Sequence, residues 1–200
     1  MKREPLRFQK DKYRNFPVHN LKKINRHQNA TTSRVKEAAF QIIRNHIDFE
    51  NDWLFYDLFA GSGQMGLEAL SLGAVHATFV ELAQERLNDI QRNLIHLDIP
   101  KDNYTLVRTR AAKVLQEAFE EILPCVVWAD PPYTYNNTPS NDPANLLMLY
   151  REALTSHPRM PLLIIQAHEK NAVLSDEYLA QHSDVKVYRY GSNCLLVIEK

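Results

Sequence analysis

Short apolar runs alternate with longer segments of helical periodicity along most of this 200-residue chain, and this alternation constrains the fold most strongly. The run at residues 53–58 leads through a glycine-rich turn into a helical segment, 64–72, which ends at Gly73 in a C-cap position. Strands that alternate with helices predict parallel β-α-β units. The last two runs, 185–190 and 194–198, are too close together for a crossover, so they predict an antiparallel hairpin.

We therefore predict an α/β fold: a doubly wound, mostly parallel sheet with helices on both faces and a hairpin at its end. The predicted strands are residues 53–58, 75–80, 104–107, 125–129, 162–165, 185–190 and 194–198. The first predicted helix begins near Thr32, and the others are residues 64–72, 83–97, 111–122, 143–156 and 171–181. A polar loop is predicted at 134–141.

The N-terminal part of the chain is strongly basic. Residues 1–36 hold eleven Lys and Arg against two acids, a surplus of nine positive charges, and the neutral total leaves the remainder with a surplus of nine negative charges. A basic arm suits a polyanion, because contacts with phosphates release counterions. Aromatic residues among the charges, such as Tyr13, favour a structured or base-stacking arm, and a solvated tail is the alternative. We predict a basic extension at residues 1–30, acting as an RNA-binding arm or hairpin, and a catalytic domain at 31–200.

Other features of the sequence indicate the cellular compartment of the protein and whether it binds a membrane or a metal. No stretch reaches the roughly 18 apolar residues that a membrane helix needs, and no apolar segment follows Met1 as in a secretory signal. Cys125 and Cys194 lie in apolar runs, which favours buried free thiols over a disulfide or a metal pair. The histidines lack metal-ligand spacing, so we expect no metal site and a cytoplasmic protein without a membrane association.

The glycine-rich turn has the pattern G-x-G-x-x-G, formed by Gly61, Gly63 and Gly66 between a predicted strand and a predicted helix. Glycines let the backbone approach a ligand closely, and the helix N-terminus offers free N–H groups. Glu81 ends the second strand, where a carboxylate can accept hydrogen bonds from both hydroxyls of a ribose. These features predict a cofactor that contains adenosine; a tight structural turn with a solvated Glu81 is the alternative.

Asp57, just ahead of the glycines, bears on which cofactor this is. A carboxylate there would repel the pyrophosphate of a dinucleotide, but it suits the cationic sulfonium and amino groups of S-adenosylmethionine. Asp57 can also be a structural acid bonded to loop amides, and both interpretations can hold together.

The tetrapeptide Asp130-Pro131-Pro132-Tyr133 follows the fourth strand, at the sheet edge where open α/β folds bind ligands. The prolines stiffen the backbone and remove two amide donors. The Asp130 carboxylate and the Pro131 carbonyl remain as acceptors for the N–H groups of a base amine, and Tyr133 offers a ring on which the base can stack. The motif therefore predicts methyl transfer to an unstacked base in nucleic acid; a proline-rich turn is the alternative.

Together these motifs resemble the bacterial 16S rRNA guanine-N2-methyltransferase family (RsmD-like), within the class I S-adenosylmethionine-dependent methyltransferases. The matching stretches are residues 31–40, 57–63, 66–70, 73–74, 130–133 and 190–191. The resemblance implies a Rossmann-like sheet of seven strands in the order 3-2-1-4-5-7-6. It also implies methyl transfer from S-adenosylmethionine to the N2 amine of a guanine in small-subunit rRNA. The chain departs from the family at Arg110, where an acid near the adenine amino group is usual.

The candidate site residues fall into three groups. Catalysis is assigned to Asp130, Pro131, Pro132 and Tyr133. Cofactor binding is assigned to Asp57, Phe59, Ala60, Gly61, Ser62, Gly63, Glu81, Leu82 and Ala111. Substrate binding is assigned to Arg7, Lys12, Arg14, Arg34, Tyr135 and His168. Arg34 and His168 can equally be ordinary surface residues, and the 134–141 loop can be an insertion without a function.

Several alternatives to this function remain open. The same acceptors would serve an adenine-N6-methyltransferase acting on DNA or RNA. A non-catalytic RNA-binding relative is favoured only by Arg110, and a nucleotide-dependent dehydrogenase leaves Asp130-Pro131-Pro132-Tyr133 unexplained. We expect a monomer that acts on rRNA or on an assembly intermediate of the ribosomal subunit.

Overall fold

The computed structural model describes residues 33–116, 123–132, 143–156, 162–171 and 174–199. Seven strands in this part of the chain form one sheet in the order β3-β2-β1-β4-β5-β7-β6, which confirms the predicted fold. All pairings are parallel except those that β7 makes with β5 and β6. The strands are β1 (Leu54–Asp57), β2 (His76–Val80), β3 (Tyr104–Val107), β4 (Cys125–Ala129), β5 (Leu162–His168), β6 (Val185–Tyr190) and β7 (Asn193–Glu199).

Helices cover both faces of the sheet, and each face has its own apolar cluster. The helices are α1 (Ser33–His46), α2 (Gln64–Ser71), α3 (Gln84–His96), α4 (Ala111–Gln116), α5 (Pro143–Ser156) and α6 (Asp176–Gln181). Residues of α1, α2 and α3 pack with Phe55, Phe79 and Trp128 on one face. Residues of α4 and α5, with partly buried residues of α6, pack on the other face with residues such as Val127. Strand residues alternate between the two clusters, as the pleat requires.

Besides shifts of one residue at the ends of several other strands and helices, four features differ from the sequence prediction. Strand β5 continues to His168 instead of ending at residue 165, because the polar Gln166 is buried within the strand and pairs with β7. Helix α6 begins at Asp176 instead of residue 171, since the Ser175 side chain caps it by accepting a hydrogen bond from the Tyr178 amide at 3.2 Å. Leu72 is the C-cap of α2, and Gly73 follows it. A short 3₁₀ helix, Lys101–Asn103, precedes β3 and was not predicted.

Other predictions have mixed outcomes. The predicted helix at 111–122 is described only as far as Gln116, and the 1–30 extension and the 134–141 loop lie outside the described residues. Cys125 and Cys194 are buried free thiols, as expected. Within the described ranges, no helix has both the length and the apolar character needed to cross a membrane.

The strand register brings the ends of three neighbouring strands to one edge. Asp57, the last residue of β1, pairs with Phe79 of β2 on one side and with Trp128 of β4 on the other. Glu81 and Asp130 each follow those partners by two residues, so the period of the pleat directs them to the same face as Asp57. This is the face that α1, α2 and α3 cover.

Candidate functional site

Three carboxylates, Asp57, Glu81 and Asp130, meet at the carboxyl edge of the sheet. Asp57 is almost completely buried, with 1% of its surface exposed. Burial raises the pKa of its carboxyl to about 7, and the charges of Asp130 and Glu81 raise it further. Hydrogen bonds from the amides of Gly66 and Phe59 act in the opposite direction and lower this pKa. No donor among the described residues reaches Asp57 Oδ1, so the site contains a buried acceptor on a carboxyl whose charged form needs a cation.

The glycine turn is held close to this acid. Gly61 and Gly63 have φ angles of 52° and 79°, which are in the left-handed region that favours glycine. The Gly63 amide donates to the Ala60 carbonyl at 2.6 Å, and the Ala60 amide donates to the Val80 carbonyl at 2.9 Å. The turn is thereby fixed against the end of β2, and Ser62, between the two glycines, remains half-buried.

The third glycine serves packing. A Cβ atom on Gly66 would lie 2.3 Å from Cε1 of Phe79, a separation that no packed side chain tolerates. Helix α2 therefore lies directly against β2 because residue 66 has no side chain. This is the role expected for the last glycine of the G-x-G-x-x-G pattern.

The Glu81 carboxylate joins three parts of the site. Its Oε1 accepts hydrogen bonds from the amides of Leu82 at 2.8 Å and Ala83 at 2.9 Å. Its Oε2 accepts one from the Gly61 amide at 3.1 Å and a longer one, 3.5 Å, from Nη1 of Arg86. A carboxylate has about four acceptor positions, so all are engaged. The Arg86 contact is the one that a ligand hydroxyl can replace, because it is the longest and the Arg86 side chain is 57% exposed.

The neighbouring edge, between the ends of β2 and β3, combines an apolar surface with cations. Leu82 is 50% exposed, and its carbonyl accepts a hydrogen bond from Nε of Arg108 at 3.1 Å. Ala111 begins α4 and is buried. Arg110, immediately before it, has an exposed side chain, so the position at which the sequence resemblance leads us to expect an acid carries a cation.

The predicted catalytic motif starts directly after β4. Asp130 is half-buried, Pro131 is buried and Pro132 is half-buried. The amide of Leu58, just past β1, donates to the Trp128 carbonyl at 2.9 Å, which fixes the end of β4 beside β1. Tyr133 lies outside the described residues, so its predicted stacking role remains a prediction.

The predicted substrate-binding residues are more scattered. Arg34 is exposed on α1, and His168 ends β5, where its Nδ1 accepts a hydrogen bond from the Lys170 amide at 3.2 Å. Arg7, Lys12, Arg14 and Tyr135 lie outside the described residues. In the described part of the chain, no group of three or more His, Cys, Asp or Glu side chains is arranged to hold a metal ion.

Sequence reasoning missed two amide side chains at the same edge. Gln166 of β5 is 3% exposed, and its Nε2 donates to Oδ1 of Asn193 of β7 at 3.5 Å. The position of Gln166 after an apolar run was the one signal in the sequence, but we interpreted this polar residue as marking the end of the strand predicted at 162–165.

Known proteins resemble this chain in sequence and in fold. The candidate rRNA methyltransferase YlbH of Bacillus subtilis is 36% identical over 104 residues, which are 52% of this chain and 54% of that protein. The ribosomal RNA small subunit methyltransferase D of Haemophilus influenzae is 33% identical over 106 residues, 53% of each protein. The chain thus spans about half the length of the curated relatives it matches.

A solved structure and a family model extend the likeness over more of the chain. The candidate methyltransferase yhhF of Escherichia coli is 22% identical, with a TM-score of 0.60 over 86% of this chain and 89% of its own. At that identity, the likeness concerns the fold alone. The family model described as Conserved hypothetical protein 95 matches residues 12–198. The chain therefore belongs to the Conserved hypothetical protein 95 (RsmD) family, which confirms the resemblance inferred from its motifs.

Proposed function

We propose that this protein transfers a methyl group from S-adenosylmethionine to the exocyclic N2 amine of a guanine in small-subunit rRNA. The observation that carries the proposal is the convergence of Asp57, Glu81 and Asp130 around the glycine turn, with Asp57 buried. Three acids at one edge repel a pyrophosphate and attract a cation. A ligand that carries both adenosine and positive charge fits this edge, whereas a nicotinamide dinucleotide does not.

The residues present fit S-adenosylmethionine. Asp57 would pair with the cationic end of the ligand, next to the backbone of Phe59, Ala60, Gly61, Ser62 and Gly63. Glu81 would accept a ribose hydroxyl in place of Arg86, and the exposed Leu82 would cover the adenine ring beside Ala111. When bound, this cofactor supplies a methyl group attached to a sulfonium, which is the electrophile of the reaction.

The acceptors at Asp130 would prepare the base amine. Its lone pair is delocalised into the ring, which makes the amine a weak nucleophile. If the Asp130 carboxylate and the Pro131 carbonyl accept its two N–H groups, the lone pair is localised on nitrogen and directed at the methyl group. The N–C bond would form as the carbon–sulfur bond breaks, with the thioether as the leaving group, and the amine would lose one N–H proton to the Asp130 carboxylate or to water. The base must leave its stack to reach this edge, and Tyr133 would then stack on it.

The choice of rRNA draws on the relatives and on the charge distribution. The Haemophilus influenzae relative is named for methylation of small-subunit ribosomal RNA. The nine surplus positive charges of residues 1–36 suit an RNA partner, and the partner would be rRNA or an assembly intermediate of the subunit. Guanine follows from the resemblance to the family, since the Asp130 acceptors would serve an adenine amine as well.

The test measures transfer of tritium from labelled S-adenosylmethionine to small ribosomal subunits from a strain that lacks this protein, followed by mass spectrometry of the nucleosides. We expect N2-methylguanosine from the wild type. Asp130→Ala should bind S-adenosylmethionine in calorimetry yet transfer no label, whereas Glu177→Ala, an exposed acid on α6, should behave as the wild type. A wild type that binds no S-adenosylmethionine would contradict the proposal, and an active Asp130→Ala would contradict the acceptor role.

A further inference from the structure

Gln166 and Asn193 lie beside the proposed catalytic acid on the same face of the sheet. Ala129 of β4 pairs with Ile165 of β5, so Asp130 is level with Gln166. Across β5 and β7, Gln166 pairs with Leu195, and Asn193 is the next residue of β7 on that face, nearer the edge. The register therefore places an acid and two amides side by side across three adjacent strands.

Packing does not account for an amide at position 166. Residues 162–165 and 167 of the same strand are apolar and buried, and Gln166 itself is only 3% exposed. A buried amide is costly to desolvate unless it is well hydrogen-bonded, whereas Leu or Met would fill the same space without that cost. The distance of 3.5 Å to Asn193 is at the long end for a hydrogen bond, so this contact by itself offsets only part of the cost.

The contact does, however, give the Gln166 amide a direction. Its Nε2 donates toward Asn193 on β7, and Oε1 is the acceptor of the same amide. Since β5 lies between β4 and β7, Gln166 is the amide of this pair that is nearer to β4, where Asp130 lies. The amide that supplies this acceptor is therefore next to the acid that would hold the target amine.

We propose that Gln166 reads the Watson–Crick edge of the target base and that Asn193 is a positioning residue that fixes the Gln166 amide. This inference rests on the proposed function and deepens it. In guanine, the N1–H donor is adjacent to the N2 amine, so Oε1 accepts it while Asp130 holds the amine. In adenine, the ring nitrogen beside the target amine is itself an acceptor and faces Oε1 unfavourably. The amide pair therefore selects guanine over adenine, since a site built to accept a donor rejects a base without it.

The variants Gln166→Met, Asn193→Ala and Asn193→Asp test this role in the full-length protein. Gln166→Met keeps the volume and removes the acceptor. We expect it to lower kcat/KM for small ribosomal subunits lacking the modification by roughly 10- to 100-fold, the range for loss of one specific base contact. The Kd for S-adenosylmethionine should stay within about twofold, because the proposal assigns this amide to the base and not to the cofactor.

Variants of Asn193 distinguish a role in positioning the Gln166 amide from a role in packing alone. Asn193→Ala should lower kcat/KM less than Gln166→Met does, and Asn193→Asp should restore it, because a carboxylate oxygen still accepts the Gln166 N–H. The control is Asn88→Ala, which removes an exposed amide bonded to Gln84 on α3 and should have no effect. If Gln166→Met fails to fold, as judged by circular dichroism, the half-buried Asn193 provides the same test.

The outcomes are distinguishable. A wild type that binds S-adenosylmethionine and methylates guanine, together with the losses above, supports the base-reading role. Wild-type kcat/KM in Gln166→Met, or in Asn193→Ala when the first variant does not fold, overturns it and leaves the proposed function standing. A wild type that transfers no methyl group to the subunits overturns both.

Discussion

The amide of Gly61 donates a hydrogen bond to Oε2 of Glu81 at 3.1 Å, which ties the glycine turn to the end of β2. Glu81 also accepts from the amides of Leu82 and Ala83, so one side chain fixes both the turn and the start of α3. In the proposed function, the same carboxylate holds the ribose. Under that proposal, Glu81 would both shape the cofactor site and contact the ligand.

Glu81→Ala should weaken S-adenosylmethionine binding roughly 10- to 100-fold, because it removes a charged acceptor and releases the glycine turn. Glu81→Gln should lose less, since its amide oxygen still accepts from some of these amides. Isothermal titration calorimetry measures both Kd values, and Glu85→Ala, an exposed acid in the first turn of α3, is the matched control. Equal affinities for Glu81→Ala and Glu85→Ala would show that Glu81 does not contribute to S-adenosylmethionine binding.

Asp57 predicts a pH dependence of cofactor binding. Its pKa of about 7 means that much of the free protein carries a neutral carboxyl at pH 6, whereas a cationic ligand needs the ionised form. Affinity should therefore rise about tenfold per pH unit below 7 and level off above it, with release of a proton on binding. Titrations at pH 5.5 to 7.5 in two buffers of different ionisation enthalpy measure this. Asp57→Asn should bind more weakly and without the pH dependence; an unchanged slope would contradict the assignment.

The same carboxyl should affect stability in the opposite sense. The pKa of Asp57 is about 3.8 in the unfolded chain but about 7 in the folded protein, so the folded state binds more protons between these values. Stability without ligand should therefore decrease as pH rises from about 4 to 7, by an amount on the order of 4 kcal/mol. Urea unfolding of wild type and Asp57→Asn should give curves that diverge over this range, with the variant more stable at pH 8. A constant difference between them would mean that Asp57 does not titrate there.

Much of this site was predictable because its residues stand at positions that the strand and helix periods fix. Asp57, Glu81 and Asp130 each follow an apolar run, and parallel strands bring such ends to one edge. Gln166 was not predictable in the same way, because a polar residue in an apolar run has the same pattern whether it ends the strand or lies buried within it. Its partner Asn193 is distant in sequence, and only the antiparallel register of β5 and β7 brings the two together. Helix α6 was predicted to begin at residue 171, before its actual start at Asp176. The sequence pattern did not show that Ser175 is the N-cap of the helix and not a residue within it.

Gly66 should tolerate no side chain. A Cβ at this position would lie 2.3 Å from Cε1 and 2.7 Å from Cζ of Phe79, whose ring is buried under α2. Gly66→Ala should lower the free energy of unfolding by roughly 1–3 kcal/mol, the range for substitutions that overpack a core. Gly191→Ala is the control, because no atom lies within 4 Å of its added Cβ and only its φ of 63° opposes the change.

A second variant assigns the effect of Gly66→Ala to the ring. Phe79→Leu in the Gly66→Ala background makes room for the new methyl group, so the double variant should recover part of the lost stability in a double-mutant cycle. Additive losses from the two changes would show that the helix does not depend on this contact.

The basic N-terminal segment gives a prediction for RNA affinity. Deletion of residues 1–30 should weaken binding to 16S rRNA and make its salt dependence shallower, by roughly 0.7–0.9 in the slope of log K against log salt for each phosphate contact removed. Filter binding at several salt concentrations measures both quantities. Binding of S-adenosylmethionine should be unaffected by the deletion, because the carboxylates and the glycine turn lie within residues 57–130.

A charge variant separates the arm's charges from its bulk. Replacing Arg7, Lys12 and Arg14 together with Gln in the full chain should reproduce part of both effects, since it removes three positive charges and leaves the arm's length and aromatic residues in place. Lys101→Gln removes a cation that lies over the Tyr104 ring and should leave the slope close to that of the wild type. If the deletion leaves affinity and slope unchanged, the segment makes no phosphate contacts, and the electrostatic attraction to RNA must come from basic residues of the folded domain, such as Arg108 and Arg110.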